Sequence, residues 1–77
     1  MNQDSRRIRL IMDLRNSGVT DTDVLSAMER IPRESFVEEP FLDQAWANHA
    51  LPISCGQTIS QPLVVGLMTQ ALRINDL

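Results

Sequence analysis

The stretch GVTDTDVLSAMERIP, residues 18–32, contains the signals of one complete amphipathic helix and of both its ends. Thr20 is the predicted N-cap, with Asp23 three residues later in a relative of the capping box. Apolar side chains then recur at helical spacing, which gives the helix one face to bury. Pro32 disfavours helical backbone in the residue before it and ends the helix near Ile31. These signals predict a helix over residues 21–31.

Two further helices are predicted, one on each side of this stretch. Residues 5–17 begin beside Asp4 or Ser5 as a cap and are followed by Gly18, a residue suited to the left-handed end of a helix. A third helix is predicted over residues 62–73, because proline is favoured in a first helical turn. The residues expected to form the core are Ile8, Ile11, Leu14, Val24, Leu25, Met28, Phe36 and Leu67.

The segment between the second and third helices lacks a helical pattern. We expect residues 33–50 to be irregular or to form short helical turns, anchored to the helices by large side chains such as Trp46. Residues 50–54, ALPIS, are expected to form a short edge strand, since Pro52 restricts where a strand can pair. The predicted fold is therefore mostly α, with one small domain spanning residues 1–77.

Size and charge restrict the classes of function. The chain has 77 residues and a formal net charge of −3, whereas nucleic-acid-binding domains usually carry a basic excess. No apolar stretch approaches the roughly 20 residues of a membrane span, and the first residues do not resemble a signal peptide. The single cysteine, Cys55, cannot form an internal disulfide. We expect a soluble, cytoplasmic protein that binds neither nucleic acid nor membrane.

Residues 44–72 form a long run without Asp, Glu, Lys or Arg. Within this run, GQTISQP (residues 56–62) leads directly into the third predicted helix, whose first N–H groups and positive dipole end attract anions. Ser60 adds a hydroxyl that either donates to an anion or caps the helix. From the residues alone both roles stay open, and capping is the commoner one for a serine at a helix start.

Three stretches together resemble one enzyme family: IPRESFV (residues 31–37), AWANHALPI (45–53) and GQTISQP (56–62). In this order and spacing they are similar to the N-terminal part of the protein-L-isoaspartate O-methyltransferases, and the resemblance extends over residues 7–72. It implies an enzyme that transfers a methyl group from S-adenosylmethionine to the free carboxylate of L-isoaspartyl residues in damaged proteins and peptides.

The resemblance also implies which residues act. Ser60 corresponds to the serine that the family assigns to the active site, so the resemblance makes Ser60 the catalytic residue. Gln57, Thr58, Ile59 and Ser60 correspond to the part of the family motif that lies against the cofactor S-adenosylmethionine and the isoaspartyl substrate.

A larger fold is implied as well, because the family is an α/β, Rossmann-like methyltransferase whose N-terminal cap this chain resembles. The sequence contains no G-x-G, the pattern of a nucleotide-binding turn. We therefore expect the sheet and the carboxy-terminal nucleotide-binding domain to be missing here and to be a partner of this chain. The isolated chain is expected to be inactive, and the whole enzyme to be a monomer.

Two other functional classes remain open from the residues. An apolar third helix also suits a non-catalytic helical protein-interaction module. The first two helices around Gly18 suit a small helix-turn-helix regulator, against which the acidic charge argues. His49 and Cys55 are the only histidine and cysteine, which are too few for a metal site, and neither is expected to be catalytic.

Overall fold

Three α-helices and one very small sheet are formed by the described residues. A computed structural model describes residues 2–53 and 56–75, with 74 and 75 described by their backbone alone. The helices are α1 (Gln3–Asn16), α2 (Thr22–Arg30) and α3 (Pro62–Asn75), with 3₁₀ turns at Arg33–Ser35 and Glu39–Gln44 and antiparallel strands β1 (Leu51–Pro52) and β2 (Thr58–Ile59). The mostly α prediction and the short strand at residues 51–52 are confirmed. Strand β2 was not predicted. No helix within the described ranges is long and apolar enough to cross a membrane.

Helix α1 begins earlier than predicted because a different residue caps it. The side-chain oxygen of Asn2 accepts a hydrogen bond from the Ser5 amide at 2.8 Å, so the predicted caps Asp4 and Ser5 were wrong. Asp4 lies instead inside the first turn, where a negative charge is favourable beside the unpaired amides. The predicted range 5–17 therefore becomes Gln3–Asn16.

Helix α2 begins one residue later than predicted and ends where the proline signal placed it. The Asp21 carboxylate accepts from the Asp23 amide at 2.9 Å, so Asp21 caps the helix and the predicted cap Thr20 was wrong. An aspartate is at least as good an N-cap as a threonine. Ile31 is the C-cap in extended backbone, as expected before Pro32.

The turn between α1 and α2 is held by α3. Gly18 has a positive φ of 119°, as the sequence predicted for the residue after α1. The Gln70 side chain accepts from the Thr20 and Asp21 amides, each at 2.7 Å, and donates to the Gly18 carbonyl at 3.0 Å. One side chain of α3 thus satisfies three backbone groups of the turn and fixes α3 against the first two helices.

The core lies between the first two helices and the segment that follows them. Leu14 is fully buried and Leu25 nearly so, as predicted, and Ile11 and Met28 pack partly buried against the core. The buried core residues are Leu10, Leu14, Val19, Val24, Leu25, Val37, Ala45, Trp46 and Leu51.

Three predicted core residues are exposed instead, namely Ile8, Phe36 and Leu67 at 52%, 53% and 40%. Ile8 lies two positions before the buried Leu10, and residues two apart face different sides of a helix. Phe36 follows a 3₁₀ turn and its neighbour Val37 is the residue that is buried. Leu67 lies beside the turn between α1 and α2, with its Cδ2 3.6 Å from where a Cβ on Gly18 would be, and stays largely exposed. The core is therefore smaller on the α3 side than the sequence pattern indicated.

Two side-chain hydrogen bonds fasten the middle segment to itself and to the core. The Arg33 Nε donates to the Ala45 carbonyl at 2.6 Å, and the Trp46 Nε1 donates to the Glu34 carboxylate at 2.8 Å. Trp46 is buried with its N–H satisfied, so its role is the predicted one of packing. These bonds hold residues 45–46 in place, shortly before residues 48–53 in the chain.

Candidate functional site

The predicted site residues, Gln57 to Ser60, lie in residues 57–61, called here the motif loop. It lies against residues 48–53, called here the backing segment. The two are joined by the antiparallel pairing of β1 with β2. The Ile53 amide extends this pairing by donating to the Gln57 carbonyl at 2.9 Å. The backbone of the motif loop is thus attached to the body of the protein on the side that precedes Ser60.

The side chains of the motif loop face two directions. Thr58 and Ser60 are exposed, whereas Ile59 between them is half-buried, which is the alternation of an extended segment. Gln57 is exposed as well. Ile59 lines a cavity of about 150 Å³ beneath the loop. The structure therefore leaves three of the predicted site residues on the surface and directs the fourth, Ile59, inward.

The cavity beneath the loop is apolar except for Arg33. Burial lowers the pKa of the Arg33 guanidinium from its ordinary value, because the charged form loses solvation. Its Nε donates to the Ala45 carbonyl at 2.6 Å, and its Nη2 has no hydrogen-bond partner among the described residues. Apolar residues of all three helices, together with Trp46 and Ile59, form the rest of the wall. The cavity thus offers Ile59 an apolar surrounding next to one buried cation.

The start of α3 is capped by a residue that lies far away in the sequence. Pro62 has no N–H, and the Leu63 amide donates to the side-chain oxygen of Asn48 at 2.9 Å. The Gln61 side chain donates to the Asn48 carbonyl at 3.3 Å. The Val65 amide makes the first helical bond, to the Gln61 carbonyl at 3.2 Å. Sequence reasoning missed Asn48, although asparagine is a preferred capping residue.

Ser60 is consequently not the residue that satisfies the start of α3. Its side chain is exposed, and its hydroxyl takes part in none of the hydrogen bonds made within residues 2–53 and 56–75. Of the two roles left open for Ser60, capping is therefore not the one seen in this structure. The helix amides available to an anion are also fewer than expected. Leu63 and Val65 are occupied, so only Val64 keeps an unpaired amide in the first turn among the described residues.

The remaining singled-out residues add no further chemistry to the loop. His49 is exposed, with its Nε2 2.8 Å from the Gln44 side-chain oxygen. Cys55 lies outside the described residues. Within the part of the chain that is described, no group of three His, Cys, Asp or Glu side chains is placed to hold a metal ion. The candidate site therefore consists of the exposed polar side chains of the motif loop and the start of α3.

Comparison with known proteins places this loop in a family. Residues 5–77 match the family described as Protein-L-isoaspartate(D-aspartate) O-methyltransferase. A Rhodospirillum rubrum protein named protein-L-isoaspartate O-methyltransferase is 68% identical over 76 residues, which is 99% of this chain and 35% of that protein. Proteins with the same name are 70% identical over 71 residues in Paramagnetospirillum magneticum, covering 92% of this chain and 33% of that protein. A Maricaulis maris protein of the same name is 60% identical over 73 residues, which is 95% of this chain and 34% of that protein. The chain thus spans about a third of the length of these relatives.

Proposed function

This chain belongs to the protein-L-isoaspartate(D-aspartate) O-methyltransferase family, and on that premise we propose that it forms the N-terminal part of an enzyme that methylates the free carboxylate of L-isoaspartyl residues in damaged proteins. The observation that carries the proposal is the family match over residues 5–77, which includes the whole motif loop. S-adenosylmethionine is the proposed methyl donor, and isoaspartyl proteins and peptides are the proposed partners.

The chemistry of the motif loop supports this proposal. A carboxylate is already a nucleophile, so its methylation needs no general base. It needs the carboxylate to be aligned with the methyl group and stripped of water. Because the carboxylate loses its charge as it reacts, a strong ion pair would hold back the reaction. Residues 44–72 carry no Asp, Glu, Lys or Arg, so the side-chain donors that this segment offers to the substrate are neutral.

Ser60 is the proposed donor to the isoaspartyl carboxylate. Its hydroxyl is exposed and is not used for capping, because Asn48 accepts from the Leu63 amide at 2.9 Å. It lies two residues before the first residue of α3, near the helix end whose dipole favours a negative charge. In the proposed reaction the Ser60 hydroxyl donates to one oxygen of the carboxylate and leaves the other oxygen free to attack.

The motif loop also fits one side of a site for S-adenosylmethionine, a molecule with both polar and apolar parts. Gln57 and Thr58 expose polar side chains, and Ile59 presents an apolar surface toward the cavity. In the proposed enzyme Gln57, Thr58 and Ser60 line the cofactor with their exposed side chains, and Ile59, whose side chain points into the cavity, lines it with its backbone. The cofactor supplies the methyl group when bound. The nucleotide part of the cofactor needs a glycine-rich turn, and the chain has no G-x-G.

Helix α3 provides a surface for the proposed nucleotide-binding domain. It exposes large apolar side chains, whose contact with water is unfavourable. A contiguous apolar patch of this kind marks an interaction site. These residues are Val64, Val65, Leu67, Met68 and Leu72. We propose that the nucleotide-binding domain of the whole enzyme packs on this face, and that the 77-residue chain alone is inactive. The whole enzyme is proposed to be a cytoplasmic monomer; the single cysteine of this 77-residue chain, which has no second cysteine to pair with in the chain, suits a reducing compartment.

The exposed face of α3 also favours a second candidate, a non-catalytic helical interaction module. The two functions make different demands on Ser60, because a docking helix has no use for a hydroxyl in the loop before it. An assay of methyl transfer therefore separates them.

The experiment uses a hybrid enzyme, in which this chain replaces the 76 matching residues of the Rhodospirillum rubrum protein. Transfer of labelled methyl from S-adenosylmethionine is measured with an isoaspartyl peptide and with the same peptide containing ordinary aspartate. The proposal predicts turnover with the first peptide alone. An inactive hybrid that is folded and as stable as the Rhodospirillum rubrum protein would contradict it and favour the interaction module.

The Ser60→Ala hybrid tests the assigned role. Loss of one oriented donor to a reacting group costs about 100- to 1000-fold in turnover, and we expect the loss of the Ser60 bond to the carboxylate to lie at the lower end. The reason is that the carboxylate loses charge rather than gains it in the transition state. Normal turnover at saturating peptide would show that Ser60 does not hold the substrate.

A further inference from the structure

Asn48 makes two hydrogen bonds that reach across the chain to the residues directly after Ser60. Its side-chain oxygen accepts from the Leu63 amide at 2.9 Å, across 15 residues of sequence. Its backbone carbonyl accepts from the Gln61 side chain at 3.3 Å, across 13 residues. Asn48 is half-buried, so both bonds are partly shielded from water. A local N-cap normally supplies the first of these bonds, and here a residue of the backing segment supplies it.

Ser60 lies between two attachments of the motif loop to the backing segment. Before it, Ile59 is paired with Leu51 by main-chain hydrogen bonding. After it, the attachment depends on Asn48, which holds the Gln61 side chain and the first amide of α3. The attachment before Ser60 is made by backbone and tolerates most substitutions. The attachment after Ser60 depends on two side chains, because the Asn48 side chain accepts from the Leu63 amide and the Gln61 side chain donates to the Asn48 carbonyl.

Asn48 is itself fixed by the bonds just before it in the chain. The Arg33 side chain holds the Ala45 carbonyl at 2.6 Å, and Trp46 is buried with its Nε1 2.8 Å from Glu34. Asn48 follows two residues after Trp46, so it continues from a part of the chain that is held at two points. A group that sets the position of a loop needs a support on one side and hydrogen bonds to the loop on the other, and Asn48 has both.

We propose that Asn48 is a positioning residue for Ser60, acting through the start of α3 and not by contact with the substrate. The inference rests on the proposed methyl transfer and on the role of Ser60 in it. By capping α3, Asn48 leaves the Ser60 hydroxyl free to donate to the isoaspartyl carboxylate. By holding Gln61 and Leu63, it fixes the direction in which that hydroxyl points.

The test compares two asparagines that cap helices. Asn48→Ala in the hybrid enzyme removes the cap of α3, and Asn2→Ala removes the cap of α1, where the Asn2 oxygen accepts from the Ser5 amide at 2.8 Å. The chemical change is the same, but Asn2 has no bond to the motif loop. We expect Asn48→Ala to lower kcat about tenfold or more and to leave the KM for the peptide within about twofold, since a misplacement of about 1 Å at a reacting group can cost about 100-fold. Asn2→Ala should leave kcat unchanged.

A double variant shows whether Asn48 acts through Ser60. If it does, Ser60→Ala together with Asn48→Ala has the kcat of Ser60→Ala alone, because the hydroxyl that Asn48 positions is already gone. Hydrogen–deuterium exchange of the peptide that contains the motif loop gives a second measurement, independent of activity. Exchange there should become faster in Asn48→Ala and stay unchanged in Asn2→Ala.

Three results would overturn the inference. Equal kcat in the Asn48→Ala and Asn2→Ala hybrids would leave Asn48 with a structural role only. A double variant with the product of the two single losses would show that Asn48 acts independently of Ser60. Unchanged exchange in the motif loop would show that Asn48 does not hold it. An inactive parent hybrid would instead contradict the proposed function, and the inference would fall with it.

Discussion

The first two helices carry their own caps, whereas the third receives its cap from a distant residue. Asn2 accepts from the Ser5 amide, three residues on, at 2.8 Å, and Asp21 accepts from the Asp23 amide, two residues on, at 2.9 Å. At α3 the acceptor is Asn48, 15 residues before the Leu63 amide that it satisfies. The two arrangements satisfy the same kind of orphan amide. They differ in what they leave free, because a residue that caps its own helix has used its side chain.

This difference explains how a serine beside a helix start remains available for chemistry. Ser60 lies two residues before the first residue of α3, one position outside the usual N-cap. With Asn48 in that role, the Ser60 hydroxyl makes no hydrogen bond within the described ranges. The helix start thus keeps its stability while its nearest hydroxyl stays uncommitted. The cost is that the loop depends on a contact between separate parts of the chain.

The pair of helices α1 and α2 also differs from helix α3 in how far its apolar side chains are buried. Helices α1 and α2 contribute fully buried core residues such as Leu14 and nearly buried ones such as Leu25. Helix α3 buries Pro62 and Gly66 but exposes Met68 and Leu72 at 63% and 70%. The helix pair is therefore stabilised within this chain, while α3 presents a surface suited to a further partner.

The largest expected effect is a loss of stability at a buried leucine of α2, with an exposed leucine of α3 as the comparison. Leu25→Ala should lower the free energy of unfolding of the 77-residue chain by about 2–5 kcal/mol, because it opens a cavity in the core. Leu72→Ala, the same change at a 70% exposed position, should stay within about 0.5 kcal/mol. Urea denaturation of both variants measures the two values. A change below about 1 kcal/mol for Leu25→Ala would show that the buried face of α2 is wrong.

A smaller loss of stability is expected at Gly66, where α3 packs against the first two helices and the turn between them. A Cβ at Gly66 would lie 2.9 Å from the Val19 Cγ2 and 3.3 Å from the Met28 Sδ. Overpacking of about 1–3 kcal/mol outweighs the gain of roughly 1 kcal/mol that alanine brings to a helix, so Gly66→Ala should destabilise by about 1 kcal/mol. In a Val19→Ala background the same substitution should be neutral or stabilising, because the blocking methyl groups are gone. Destabilisation of equal size in both backgrounds would contradict the close packing of α3 on the turn.

The smallest expected effect separates a cap from an ion pair. Arg73 of α3 pairs with the Asp21 carboxylate at 3.3 Å and with the Asp23 carboxylate at 3.1 Å. Asp21 also caps α2, so Asp21→Ala should cost about 1 kcal/mol. Asp23→Ala loses an exposed pair and an exposed charge in the first turn of α2, both of which salt screens, and should cost no more than about 0.5 kcal/mol, falling toward zero at high salt. Equal losses that both vanish with salt would show that the Asp21 cap contributes nothing.

Signals between neighbours in the sequence predicted much of the fold. Pro32 predicted the end of α2, and Pro62 predicted the start of α3. Gly18 predicted a residue with positive φ after α1. Each of these residues acts on its own backbone or on the adjacent residue, so the sequence around it is sufficient. The errors at the starts of α1 and α2 are of one or two residues, because several capping side chains stood next to one another.

Contacts between distant segments were not predictable in the same way. Strand β2 has only two residues, and its pairing with β1 is decided by how the loop folds back. Asn48 lies within AWANHALPI, and no pattern there indicates that its side chain reaches the start of α3. The exposure of Ile8 depends on which face of α1 the other elements cover. The composition of the motif loop was thus visible in the sequence, whereas the support that holds it was not.

Thermal unfolding of two hybrid enzymes, Ser60→Ala and Asn48→Ala, tests most directly the central claim that Asn48 caps α3 and leaves Ser60 free. The claim predicts that Asn48→Ala loses about 0.5–2 kcal/mol of stability, as expected for a lost cap. Ser60→Ala should stay within about 0.5 kcal/mol, as for a surface residue without a partner. The reverse order, with Ser60→Ala the less stable variant and Asn48→Ala unchanged, would contradict the claim and return Ser60 to the role of a cap.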